Sequence, residues 1–328
     1  MKVVVVGAGV IGLTTALTLR RELKCEVLVI AKEIPGDTDT IYTSTKAGAQ
    51  WVMPKESERA KYSYPIYKEL SEIPEAWIMK IPLYCGEIGS TSKTFVEPAE
   101  KSFADGYEYI GQDPVKFPGV SHIYKFNTFT ISPPQYLMYL ASLLLKEGVE
   151  IHRGVVRDLD AVKFKGEDPD YIVNSTGIQY NDLEGRNDPE LRPIRGHTLL
   201  IENSLPYQVT FNEEDPAEEG EFLMVFPRKE GGSVLGGIYD STSPRFDASI
   251  HQDFVERLQR KAEKHIPELK GKINILKHNI GFRPHRDSGA RIEFDPQNPK
   301  LVHNYGCGSL GFIESWGCAK EVLELIRG

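Results

Sequence analysis

The sequence predicts an α/β fold in which a doubly wound βαβ domain is interleaved with a mixed-sheet α+β domain. Three observations predict it. An apolar, β-branched run at the start enters a glycine-rich turn. Alternating strand patterns fill the middle of the chain. Signals of parallel strands return near residue 150 and again near residue 300.

Val3 to Val6 reads as a strand buried on both faces, as parallel strands are. Leu13 to Glu22 reads as a helix and Cys25 to Ile30 as a second strand, completing a βαβ unit in about 30 residues. Ala31 to Trp51 reads as loop with a short helical turn, and Tyr62 to Glu72 as helical. Between Ile81 and Ile131, scattered aromatics and prolines predict irregular β structure. Ser132 followed by Pro133 marks the start of a helix that runs from Gln135 to Lys146 and stops at Gly148. Val149–His152 and Asp170–Asn174 read as further parallel strands. His197–Glu202, Glu221–Phe226 and Ser233–Tyr239 read as antiparallel ones. Ala248 to Lys264 is a polar helix, Leu301 to Tyr305 a strand, and Trp316 to Ile326 the last helix. This order divides the chain into residues 1–50, 135–195 and 278–328 for one domain, and 51–134 and 196–277 for the other.

Gly7, Gly9 and Gly12 fit the spacing GxGxxG between the first strand and helix. The first glycine allows the tight turn, the second lets a pyrophosphate approach the backbone, and the third permits close helix–strand packing. With strand, helix and second strand all in place, Gly7, Ala8, Gly9, Val10, Ile11 and Gly12 predict a dinucleotide seat at a helix N-terminus. The acidic residue expected at the end of the second strand is displaced. Ala31-Lys32-Glu33 stands there, with Glu33 a candidate for the ribose and Lys32 for a phosphate or the adenosine edge.

Bulk properties narrow the function further. The chain has 328 residues, 40% of them hydrophobic, with a formal charge of −8. No basic tract points to nucleic acid, and no apolar run approaches the length of a membrane span. The four cysteines, Cys25, Cys85, Cys307 and Cys318, form no CxxC pair, so reduced thiols are expected and a metal site is not. The start does not read as a signal peptide, and Leu325–Gly328 is not an SKL-type address.

Seven segments together carry a specific resemblance: VVVVGAGVIGLTTAL at the start, TSTKAGAQW at Thr43–Trp51, DYIVNSTG at Asp170–Gly177, PIRGHTLL at Pro193–Leu200, GGIY at Gly236–Tyr239, HNIGFRPHR at His278–Arg286 and HNYGCGSLGFIESWG at His303–Gly317. In this set and order the chain resembles the D-amino-acid oxidase family, which includes D-aspartate oxidases. The resemblance implies an FAD-binding Rossmann-like domain interleaved with a substrate domain. It also implies oxidation of a D-amino acid to an imino acid, with O2 reduced to hydrogen peroxide and the imino acid hydrolysed to a 2-oxo acid and ammonia.

The same resemblance assigns residues. Arg283 would clamp the substrate carboxylate, as a planar guanidinium does well, while Arg286 would be structural. Tyr239 would face the carboxylate or side chain, and the Ser309 carbonyl would accept from the substrate amine. Hydride transfer to flavin N5 would then need positioning rather than a base, so His278, His285 and His303 are read as structural. Thr43, Ser44, Thr45, Ala47 and Gly48 match a loop along the flavin and pyrophosphate, and Val156 a contact to the adenosine half. Ser175 and Gly177, and the glycine-rich segment Gly308, Ser309, Leu310, Gly311, Phe312 and Ile313, complete the cofactor set. Trp51 is placed at the flavin or the pocket edge, or else in plain core packing.

Departures from the family shape the pocket. Met224 stands where relatives often carry a tyrosine, and Leu310 and Ile313 replace residues often aromatic or polar. Tyr239 stands where the resemblance gives the D-aspartate branch an arginine, so neutral D-amino acids are expected. D-aspartate or D-glutamate stays open through Lys46, Arg228 or Lys229, and the acidic run Glu213-Glu214-Asp215 with Glu218, Glu219 and Glu221 reads as a solvated loop. The residues also leave room for a glycine- or sarcosine-oxidase-like enzyme and for a non-catalytic FAD or NAD protein. The resemblance suggests a peroxisomal or cytoplasmic protein and leaves a homodimer open.

Overall fold

The N-terminal β-branched run forms a strand whose two faces are both covered, and this strand sets the first sheet. The computed structural model describes residues 1–53, 55–89, 95–213 and 220–328. The strand β1 (Lys2–Val6) leads into helix α1 (Val10–Leu23), which returns to β2 (Glu26–Ala31). Strand alternation sends Val3 and Val5 into one core with Leu13, Leu17, Val322 and Leu323, and Val4 and Val6 into another with Leu28, Ile172 and Leu301. Each such valine contributes about 1.5–3 kcal/mol on burial.

The remaining elements are α2 (Thr43–Lys46), α3 (Glu58–Ser71), β3 (Ile78–Ile88), β4 (Glu108–Gly111), β5 (Val120–Ile131) and α4 (Pro133–Lys146). They continue with β6 (Glu150–Arg153), β7 (Tyr171–Asn174), β8 (Leu191–Ile201), β9 (Gln208–Glu213), β10 (Glu221–Pro227) and β11 (Ser233–Ile238). The chain closes through α5 (Gln252–His265), β12 (Ile275–Arg286), β13 (Arg291–Phe294), β14 (Leu301–Tyr305) and α6 (Gly311–Arg327). A six-stranded sheet has the order β13-β14-β7-β1-β2-β6, parallel except for its β13 edge. An eight-stranded sheet has the order β12-β8-β11-β10-β9-β3-β5-β4 and is antiparallel except where β3 meets β9. The amphipathic helix α5 covers the larger sheet, placing Phe254 and Leu258 in a core with Leu199, Val225 and Leu235.

Several differences from the sequence reading have physical reasons. The segment read as irregular β contains two long paired strands, β3 and β5; Pro82 in the ladder opposite Asn127 and a register shift between Cys85 and Glu87 interrupt the regular pattern. Helix α3 starts four residues earlier than predicted, where the Ser57 hydroxyl accepts from the Ala60 N–H. The last helix starts at Gly311 rather than Trp316, since Gly311 is helical with φ −50. The tight turn before it is made by Gly306 and Gly308, whose φ values of 85 and 55 favour glycine. Strand β12 hydrogen-bonds along β8, so residues 278–286, assigned from sequence to the cofactor domain, extend the larger sheet. β8 itself runs through the predicted 195/196 boundary. Glu214, Asp215, Glu218 and Glu219 of the acidic run lie outside the described residues.

Candidate active site

Four parallel neighbours, β2, β1, β7 and β14, all end at one cavity of about 690 Å³. This is the crevice at the carboxyl ends of strands where α/β sheets bind ligands. Gly7, Lys32, Ser175 and Gly306 each follow the last residue of one of these strands and each lines the cavity.

The glycine turn is held from several sides. The Gly7 N–H donates to the Ile30 carbonyl at 2.9 Å, and the buried Tyr42 hydroxyl donates to the Ala8 carbonyl at 2.6 Å. Burial pushes the Tyr42 phenol well up, which keeps it a neutral donor. Gly7 has φ 114, and a Cβ there would stand 2.3 Å from the Ser175 carbonyl oxygen. A Cβ on Gly12 would stand 2.0 Å from the Gly7 carbonyl oxygen, which is the close helix–strand approach expected of the third glycine. At Gly9 the neighbour is the Ser44 hydroxyl, 2.8 Å from a would-be Cβ, and that hydroxyl accepts from the Val10 N–H at 3.0 Å. Gly9, as N-cap of α1, supplies no side chain, so the helix end opens onto the cavity. Ser175 Oγ is buried without a protein partner among the described residues. A bare helix N-terminus, a glycine cradle and an orphaned hydroxyl fit the pyrophosphate of a dinucleotide.

Beyond the end of β2, Glu33 and Lys32 form an ion pair of 2.7 Å, and the Gln179 amide donates to Glu33 at 3.2 Å. Val156 and Gly177 border the same end. Thr43, Ser44, Ala47 and Gly48 form the opposite wall, which is pinned to β12 by the Thr43 hydroxyl donating to the Phe282 carbonyl at 2.8 Å.

Arg283 closes the other end of the cavity. Its Nη1 donates to the Arg195 and Ile238 carbonyls, both at 3.2 Å, and its guanidinium lies 5.0 Å from the Tyr239 ring centroid. It lies flat on Gly196, where a Cβ would stand 2.6–2.8 Å from the guanidinium atoms. Among the described residues no carboxylate pairs with Arg283. Desolvation lowers its pKa to about 10, so it stays charged at neutral pH. A half-buried cation bordering a cavity without a counter-charge has the chemistry to pair with an anionic group.

Of the other predicted residues, Tyr239, Met224, Ser309, Leu310, Gly311, Phe312, Ile313 and Gly308 all border the cavity. Trp51 does not. It is 0% exposed and meets Tyr64 and Phe103 edge to face, so it packs in the core. Thr45 and Gly12 also lie behind the lining, Thr45 donating to the Tyr42 carbonyl at 2.9 Å.

Sequence reasoning missed two groups. Phe222, Thr198 and Asn279 line the Arg283 end of the cavity, brought there by register among β8, β10, β11 and β12; Thr198 and Asn279 lie within motif segments that do not single them out. Gln50 joins them from the loop that bridges to Thr130 of β5. His285, read as structural, shares a 2.8 Å hydrogen bond through Nδ1 with the Tyr239 hydroxyl. Two-residue alternation along β12 could have shown it, because His285 shares a face with Arg283. His303 is structural as expected, buried between Asn174 at 3.1 Å and Asp295 at 3.0 Å. Of Lys46, Arg228 and Lys229, only Lys46 borders the cavity, and its Nζ donates to the Thr38 carbonyl at 2.8 Å. Arg228 is buried on the Ile131 and Ala47 carbonyls, and Lys229 donates to the Pro74 carbonyl.

Comparison with known proteins puts this geometry in a context. The model of the FAD dependent oxidoreductase family matches residues 2–325. A D-amino-acid oxidase from Fusarium vanettenii is 30% identical, covering 99% of this chain and 96% of its own. A D-aspartate oxidase from Talaromyces thermophilus is 24% identical, covering 99% and 95%. Among solved structures, a glycine oxidase from Geobacillus kaustophilus superimposes with a TM-score of 0.77 at 16% identity, over 99% of this chain and 94% of that one. That last likeness speaks for the fold.

Proposed function

This chain belongs to the FAD-dependent oxidoreductase family, and from that membership and the cavity we propose that it oxidises D-amino acids with neutral side chains. The products are the 2-oxo acid, ammonia and hydrogen peroxide. The observation that carries the proposal is Arg283, a charged guanidinium bordering the cofactor cavity with no carboxylate of its own among the described residues.

Arg283 would take the substrate carboxylate in a bidentate pair, its orientation set by the Arg195 and Ile238 carbonyls and by the flat seat on Gly196. The Tyr239 hydroxyl, fixed by His285, would donate to the same carboxylate. The Ser309 carbonyl would accept from the amine. With the side chain in its pocket, these contacts fix three of the four substituents around the substrate Cα and leave its hydrogen one direction to point. When bound, FAD would supply the two-electron acceptor for that hydrogen, with O2 as the final oxidant. Gly7–Ile11, Ser44, Ser175 and Glu33 would hold its dinucleotide portion. Positioning of this kind accounts for a large part of a hydride-transfer barrier without a base.

Met224, Phe222, Leu310 and Ile313 make the side-chain end of the pocket apolar. The cation nearest that wall in sequence, Arg228, is spent on main-chain carbonyls. Neutral D-amino acids therefore fit better than acidic ones. The test is a panel of D- and L-amino acids with glycine, assayed for peroxide. D-alanine or D-methionine should lead. A lead by D-aspartate, by glycine or by any L-isomer would overturn the assignment.

A further inference from the structure

Two thiols stand where the reaction's oxidising product would be made. Cys307 caps the turn Gly308–Leu310 and lines the cavity, while Cys318 lies on α6 and is 0% exposed. Their sulfurs are 3.8 Å apart. A disulfide requires about 2.05 Å between sulfurs, so one of them must move by a little under 2 Å. Cys307 carries the sulfur that would move: it sits in a turn between Gly306 and Gly308, both in the left-handed region, outside helix α6 and bridged to His285 of β12. Cys318 is held in the middle of a helix whose neighbour Gly317 packs on the Arg59 backbone.

We infer that Cys307 and Cys318 form a peroxide-oxidisable dithiol whose disulfide slows the enzyme. The inference rests on the oxidase reading above for its source of peroxide. In the first step the Cys307 sulfur attacks hydrogen peroxide. An S–O bond forms, the O–O bond breaks, one water leaves and the sulfur becomes a sulfenic acid, two electrons more oxidised. In the second step the Cys318 sulfur attacks that sulfur, an S–S bond replaces the S–O bond, and a second water leaves. The sum is two thiols and one peroxide giving one disulfide and two waters. Cys307, on the cavity wall, meets peroxide first, and buried Cys318 resolves it. Cys318 keeps its proton at rest, since the Cys307 contact and burial push its thiol well up.

The functional consequence follows from what Cys307 carries. The Leu310 N–H donates to its carbonyl at 2.9 Å, closing the turn that carries Ser309, whose carbonyl the proposed function assigns to the substrate amine. Drawing Cys307 toward α6 shifts that turn. A displacement of about 1 Å at a positioning group costs on the order of a hundredfold in rate. The cluster also contains Glu314, its ligand atoms and the two sulfurs lying within 4.8 Å of one another. Three groups fall short of the four-ligand set of a structural zinc site. One of them, Glu314, is already engaged by the Ser57 hydroxyl at 2.6 Å.

The experiment uses the FAD-loaded protein and added hydrogen peroxide, followed by thiol blocking and digestion without reductant. Both cysteines fall in one tryptic peptide, Leu301–Lys320. It should appear two hydrogens lighter and unblocked, in step with a tenfold or greater fall in turnover that dithiothreitol reverses. Cys318→Ala should keep its flavin and its turnover, trap dimedone at Cys307, and lose the reversible inhibition. Turnover of substrate without catalase should give the same light peptide. A peptide that stays fully blockable, a disulfide that leaves the rate unchanged, or a stoichiometric metal released by thiol blocking would each overturn the inference. The mass readout with added peroxide is independent of substrate, so a failure of the D-amino-acid assignment is told apart from a failure here.

Discussion

Two arginines three residues apart on β12 have opposite surroundings. Arg286 is met by Asp188 and by Glu190, each at 2.7 Å, and Asp188 also accepts from the Tyr305 hydroxyl at 2.7 Å. Behind them Arg186 bonds Asp295 at 3.1 Å, and Asp295 bonds His303. Among the described residues, Arg283 bonds only main-chain carbonyls and lies over an aromatic ring. The same residue type on the same strand thus closes a structural network on one side and leaves a charge facing a cavity on the other. The difference teaches that a buried cation is read by its counter-charge. Satisfied inside, it holds the fold together. Unsatisfied, it waits for a ligand.

The comparison breaks most sharply at Arg283. Arg283→Ala should lower kcat/KM by roughly a thousandfold, as removal of about 4 kcal/mol of charge-paired binding would, while the protein keeps its yellow flavin. Lysine there should recover only part, lacking the planar fork. Loss of flavin instead would place Arg283 with the structural arginines. Arg286→Ala should do the reverse. It strands Asp188, which is 4% exposed, and should cost about 3 kcal/mol in a denaturant titration. The folded fraction should turn over with unchanged KM.

Acid should weaken the network side first. His303 is lowered from 6.5 to about 4, by desolvation and then by the Arg291 charge. Between those values the unfolded chain binds the extra proton. Stability from this group is therefore complete above about pH 6.5 and is lost as pH falls to about 4, by about 3 kcal/mol. Depression of the Asp295 carboxyl, from 3.8, adds a further loss only below that window. Thermal melts across that window should show the drop, and His303→Gln should flatten it.

Smaller effects sharpen the cavity side. Gly196→Ala places a methyl against the guanidinium and should raise KM about tenfold with FAD retained. Tyr239→Phe removes one hydroxyl hydrogen bond and should cost about fivefold, or roughly 1 kcal/mol. If Tyr239→Phe matched Arg283→Ala, the carboxylate would be held mainly by the phenol and the comparison would fail.

Much of this was legible in the sequence because local rules act locally. The run Val3–Val6 and the glycines after it announce a strand, a turn and a helix within a dozen residues. Ser132-Pro133 announces α4 the same way. Arg283, Tyr239 and Ser309 came from motif resemblance, and the cavity gathers all three. What escaped was set by register. Phe222 reaches the pocket through pairing of β10 with β11, which no short window encodes, and Thr198, though inside a motif segment, reaches it through pairing of β8 with β11. Trp51 looked like a pocket residue because it ends a cofactor-loop motif. Its main-chain N–H donates to the Phe129 carbonyl and its ring packs on Tyr64 and Phe103, which puts it in the core instead. Cys307 and Cys318 are eleven residues apart and read from the sequence only as reduced thiols; the turn and helix bring them together.

Anaerobic flavin reduction tests the central claim most directly. Wild-type protein mixed with D-alanine without oxygen should lose its yellow colour at low concentration, and Arg283→Ala should need about a thousandfold more amino acid for the same bleaching. Equal bleaching of both proteins by the same D-alanine concentration, or bleaching of the wild type by a reduced nicotinamide alone, would contradict the account.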